Sequence, residues 1–155
     1  MNGIVAKPKP NKIPKALLGS VDRSPRFATD PSDTNRLTPV WSIAIFDVDG
    51  PWGRDQIEQS GALWSDVFPK LKNYESMTWG DILRDKHRNH AVPVDQLIKS
   101  ARERLLGIKQ NDVDELFRFR LSGEMRVWGI RDGRVFKILW WDPNHEICPS
   151  VLKHT

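Results

Sequence analysis

The chain has a single cysteine, Cys148, in 155 residues, which excludes an internal disulfide framework and suits a reducing compartment. It has no apolar run approaching the length of a membrane span, and no short apolar core of a secretory signal near Met1, so a soluble, cytoplasmic protein is expected. It has no internal repeat. It also lacks a set of metal ligands at a recognisable spacing: His87-x-x-His90 and Asp142-x-x-His145 each offer two, and zinc needs three or four. No metal and no cofactor are expected.

What is present is unevenly placed. The net charge is +4, but residues 1–39 hold seven Lys/Arg against three Asp/Glu, while residues 40–155 hold seventeen of each. Residues 1–39 also carry six of the eleven prolines, including Lys-Pro-Lys-Pro at 7–10, and little apolar periodicity. They read as an extended or disordered basic arm. Residues 40–155 read as one domain, long enough to bury a core without staples. Seven tryptophans, six of them beyond residue 50, supply much of that core.

Trp41 to Val48 reads as a strand ending at Asp49-Gly50. Apolar residues at Ile57, Trp64, Val67, Phe68 and Leu71 follow helical spacing, with Pro69 kinking or splitting the helix. Thr78 with Asp81 resembles a capping box, His87 to His90 reads as a polar loop, and Val94 to Leu105 marks another amphipathic helix stopped near Gly107. From Leu116 to Trp141, three runs rich in β-branched and aromatic residues are separated by Ser122-Gly123-Glu124 and by Asp132-Gly133, the signature of an antiparallel meander. The class is α+β: a strand, a helical segment, then a three-stranded meander in one sheet with helices on one face.

The two turns set a register. A type I′ turn at Asp132-Gly133 puts Ile130 opposite Val135, Trp128 opposite Lys137 and Val127 opposite Ile138. A three-residue loop at 122–124 puts Leu121 opposite Met125 and Arg120 opposite Arg126. One face then carries Phe117, Phe119, Leu121, Met125, Val127, Phe136, Ile138 and Trp140, a core. The other carries Arg118, Arg120, Arg126, Trp128 and Lys137, a basic, aromatic-studded surface that suits RNA or another polyanion.

This order of elements resembles the RelE/ParE/HigB superfamily of bacterial toxins over roughly residues 41–150. The resemblance lies in Arg126 after a Gly turn, the Asp132-Gly133 hairpin, the apolar last strand through Trp140, and Asn144-His145-Glu146. Where family members often carry an Arg after the terminal His and a Tyr near the end, this chain has Glu146 and Cys148. The resemblance implies an endoribonuclease that cuts ribosome-bound messenger RNA without a metal, paired with an antitoxin protein. It further implies that His145 serves as acid or base, Arg120 and Arg126 hold the reacting phosphate, Arg118 and Lys137 bind flanking phosphates, and Trp128 stacks on a base. A non-catalytic nucleic-acid- or protein-binding module of the same fold is the alternative.

Ile45-Phe46-Asp47-Val48-Asp49-Gly50 suggests a third possibility, since it looks like the first motif of haloacid-dehalogenase-type phosphatases, with Asp47 as nucleophile and Asp49 handling the proton. Pro51 stands where those phosphatases carry Thr, and no later segments supply parallel strands with crossover helices, so a strand ending in an Asp-Gly turn is the simpler reading.

Overall fold

The computed structural model describes residues 31–150, together with Gly3. Almost all of the expected arm lies outside the described residues. Its last part does not stand apart from the domain: Thr34 is buried, the backbone N–H groups of Trp79 and Gly80 donate to the carbonyls of Leu37 and Asn35, and Arg131 donates to Asn35 at 2.6 Å.

A helical turn, α1 (Pro31–Thr34), precedes β1 (Val40–Ser42). Next come α2 (Arg54–Ser60), a π-helical turn (Leu63–Val67), α3 (Phe68–Glu75) and α4 (Trp79–Arg84). β2 (His90–Pro93), a 3₁₀ turn (Val94–Gln96) and α5 (Lys99–Gly107) lead to β3 (Glu115–Ser122), β4 (Met125–Asp132) and β5 (Val135–Asp142). The protein is α+β. Its sheet is wider than the meander, with five strands in the order β1-β5-β4-β3-β2, antiparallel except where β1 runs parallel to β5.

Local chemistry explains most of the breaks. Gly61 caps α2 in the left-handed conformation (φ 70°), so the helical segment is interrupted there before Pro69 opens α3. The capping box of Thr78 and Asp81 starts α4. The first strand stops at Ser42 rather than Val48, and the Asp47–Gly50 segment is loop. β2 escapes sequence reading because it is four residues long and ends in Pro93 at the sheet edge.

The hairpin between β4 and β5 turns on Gly133-Arg134, with positive φ at Gly133 alone (60°), the requirement of a type II′ rather than a type I′ turn. The pairing therefore slides two positions, to Asp132–Val135, Ile130–Lys137 and Gly129–Ile138, which leaves every side chain on its expected face. A bulge at Leu139 then changes the parity: Trp128 pairs with Trp140, and Val127 with Trp141. Trp141, not Trp140, joins Phe117, Phe119, Val127, Phe136 and Ile138 under α2, α3 and α4. Trp140 turns to the second face, where Trp52, Leu116, Trp128 and Leu139 pack with Ala101 and Leu105 of α5. This second core makes the Trp128 end of that face an interior.

Candidate nucleic-acid interface

Arg118 and Arg120 alternate with Phe117 and Phe119 on β3, and Arg120 pairs directly with Arg126 on β4, so the three arginines share the second face. The β3–β4 turn gathers two of them. Arg120 Nε donates to the Gly123 carbonyl at 3.2 Å, and Arg126 Nη1 donates to the same oxygen at 2.7 Å. The main chain of Arg120 is fixed from α3 and the loop before β2: its N–H donates to Asn89 Oδ1 at 3.0 Å, and its carbonyl accepts from the Tyr74 hydroxyl at 2.5 Å.

His145 arrives from beyond β5. The fully buried Asp142 carboxylate accepts the backbone N–H of Glu146 at 2.9 Å, that of Ile147 at 3.1 Å and Trp128 Nε1 at 3.2 Å, and the 142–147 turn winds around it. His145 is held within that turn in the left-handed conformation (φ 56°), an unfavourable state for a non-glycine residue of the kind found at functional sites. Its Nε2 lies 3.0 Å from Arg118 Nη1.

The charge balance is unusual. Arg118 and Arg126 are 7% and 6% exposed, the buried Nε of each has no partner, and among the described residues none of the three arginines makes an ion pair. Burial, then the charges of Arg118 and Arg120, lower the pKa of Arg126 to about 10. Burial, then Arg126 and Arg118, hold His145 below the ordinary imidazole value. The sequence offers His90 only as half of a His87-x-x-His90 pair in a polar loop, with no role beside the arginines. His90 pairs with Arg118 across β2–β3 and is likewise depressed, by burial and then by Arg118. Its signal was the short apolar run Ala91-Val92 after it, enough for an edge strand. Burying a cation without an ion pair costs roughly several kcal/mol, so an anionic group placed against these guanidiniums would be stabilised.

Two expected residues do not join the cluster. Trp128 is fully buried beneath Arg118, whose Cζ lies 6.0 Å from its ring centroid, so it offers no face to a base. The cause is the second core, which α5 and Trp140 build over it. Lys137 sits opposite Ile130, four residues along β4 from Arg126 or roughly 13 Å, and pairs with Asp132 at 3.3 Å.

Asp47 and Asp49 serve another purpose. Both oxygens of the buried Asp47 are taken by Arg104 of α5, at 2.8 and 2.5 Å, Trp140 Nε1 adds 3.0 Å, and Asp49 meets the same guanidinium at 2.8 Å. Burial raises the pKa of Asp47, but these bonds outweigh it and the net shift is downward. An added Cβ at Gly50 would collide with this pair, which explains the glycine. A cleft of about 580 Å³ lined by Leu83, Lys86, His90, Phe117 and Arg131 contains none of the three clustered arginines. Among the described residues no three His, Cys, Asp or Glu side chains converge as a metal would require, and no helix is long and apolar enough to cross a membrane. Set against protein-family models, curated proteins and solved structures, the chain matches none.

Proposed function

We propose that the protein binds RNA through phosphate contacts at Arg118, Arg120 and Arg126 and cleaves it as a toxin-like, metal-independent endoribonuclease. Ribosome-bound messenger RNA is the substrate and an antitoxin protein the natural inhibitor. One observation carries this reading: three guanidiniums share one face with His145 and His90, and among the described residues no carboxylate forms an ion pair with any of the three. In the reaction the ribose 2′-oxygen attacks the adjacent phosphorus, the bond to the 5′-oxygen breaks, and a 2′,3′-cyclic phosphate forms. One proton leaves the 2′-hydroxyl and one must reach the 5′-oxygen, so two proton-transfer groups are needed. His145 takes the first as a neutral imidazole, the form that burial and then Arg126 and Arg118 favour near pH 7, and Arg126, whose pKa burial lowers to about 10, gives the second. Arg120 and Arg126 meet the charge that develops on phosphorus.

The non-catalytic binding module is the second reading, and it too has an observation in its favour: the Nε2 position of His145 is engaged with Arg118. A substrate phosphate that takes Arg118 would release it. RNA cleavage with and without ribosomes separates the two. Arg126→Ala should lower the rate roughly 10²–10³-fold and weaken binding, while His145→Ala should lower it about 10²–10⁴-fold with near-normal binding. Intact RNA under both conditions, with binding retained by the wild type, selects the binding module.

A further inference from the structure

We infer that the arginine cluster takes a terminal phosphomonoester, the phosphorylated end of an RNA strand, in preference to a phosphodiester inside one; this rests on the cluster being a nucleic-acid phosphate site. Charge is the first reason. Three guanidiniums stand over one buried carboxylate, Asp142, whose pKa burial raises while the three N–H bonds it accepts pull it back down. Glu124, at the exposed tip of the β3–β4 turn, makes no ion pair among the described residues, and its charge acts on Arg126 from a solvated position. Against the buried carboxylate alone, the excess is two positive charges. A phosphomonoester carries close to two negative charges at neutral pH, its second pKa being about 6, whereas a diester carries one.

Depth is the second reason. Arg118 and Arg126 are almost wholly buried. A phosphate within a strand reaches them only when both flanking riboses come down with it, as the cleavage proposed above requires, whereas a terminal phosphate enters end-on and at less cost. Donor count is the third. Arg126 Nη2 and both Nη atoms of Arg120 have no partner among the described residues, and Arg118 Nη2 has only the His87 carbonyl at 3.5 Å. Those donors match the three terminal oxygens of a monoester better than the two non-bridging oxygens of a diester.

The test is titration of the full chain with one short 2′-O-methyl oligoribonucleotide, which cannot be cleaved, in three forms: 5′-phosphorylated, 3′-phosphorylated and unphosphorylated. One phosphorylated form should bind about ten-fold tighter or more than the unphosphorylated one, the effect of one added charge-assisted hydrogen bond. The form that does so identifies which end is recognised. Arg120→Gln should reduce that ratio several-fold. Its exposed side chain keeps the variant folded, and Arg126→Gln should act in the same direction once circular dichroism confirms its fold. Equal affinity for all three oligonucleotides overturns the monoester preference and leaves the RNA reading standing. Binding of none of them overturns both. An undiminished preference in Arg120→Gln places the monoester elsewhere and overturns the assignment.

Discussion

Arg126 sits where an arginine is least comfortable: buried, beside two others, with its Nε unpartnered. Burial first, and the neighbouring arginines after it, make His145 and His90 harder to protonate when folded than the ordinary value of 6.5. The effect on stability has a definite sign. Above pH 6.5 both imidazoles are neutral in the folded and unfolded chain and contribute no slope. As pH falls through 6.5 the unfolded chain takes up protons that the folded site resists, so stability falls until the lower folded pKa values are passed. Chemical denaturation should therefore show the wild type losing more stability between about pH 7 and 5 than a His90→Gln/His145→Gln double variant, and inorganic phosphate should shrink the difference. Identical pH profiles would mean that neither burial nor the arginines depress the imidazoles. At this scale the sequence was legible in one respect: period-two alternation put Arg118, Arg120 and Arg126 on one face. The burial of Arg118 and Arg126 was not legible, because the strands that pair with theirs and the 142–147 turn lie elsewhere in the chain, and an Asp accepting two backbone N–H groups has no spacing signature of its own.

Two elements are held by single close contacts. α5 is clamped to the 47–50 loop by Arg104, whose partner Asp47 is buried while Arg104 itself is partly exposed. Arg104→Met should destabilise by about 3–5 kcal/mol, since it strands a buried carboxylate, whereas Arg104→Met with Asp47→Asn should recover most of the loss. A double-mutant cycle with no coupling would show that the pair is not the clamp. β4 and β5 meet at Gly129, where an added Cβ would run into the Lys137 carbonyl and the Phe136 ring. Gly129→Ala should cost roughly 1–3 kcal/mol, measured by the denaturation midpoint. The strands of the meander and the capping box of α4 were readable because turn glycines, alternation and Thr-x-x-Asp are local signals. The bulge at Leu139 was not, since Lys-Ile-Leu-Trp-Trp alternates equally well in either parity. That one extra residue exchanged Trp140 for Trp141 and helped to close Trp128 inside the second core. What Asp47 and Asp49 do was hidden for a related reason: their partner, Arg104, lies far along the chain.

Over the whole molecule the charge is local. Residues 40–155 hold equal numbers of acidic and basic groups, so attraction of RNA to the domain should come from the cluster and little else. The logarithm of the binding constant of the domain should fall with the logarithm of salt concentration with a slope of about −2, as expected for three phosphate contacts on a single strand. A much steeper slope would point to a wider basic surface. On the opposite side of the sheet, Trp64 is 76% exposed and stacks edge-on with Phe68 at 4.8 Å. Trp64→Ser should change stability by about 1 kcal/mol or less and leave RNA binding untouched, which makes it a control for nonspecific effects. The parallel pairing of Val40 with Val135 has a further consequence, in time rather than space. During synthesis β1 emerges early and has no strand to join until β5 follows, and the same late strand delivers Asp142 and with it the turn that carries His145. Closing so long a loop is slow. The edge of the sheet and the histidine of the site therefore both wait on β5, and a chain made only as far as β4 carries the arginines of β3 and β4 without Asp142 or His145.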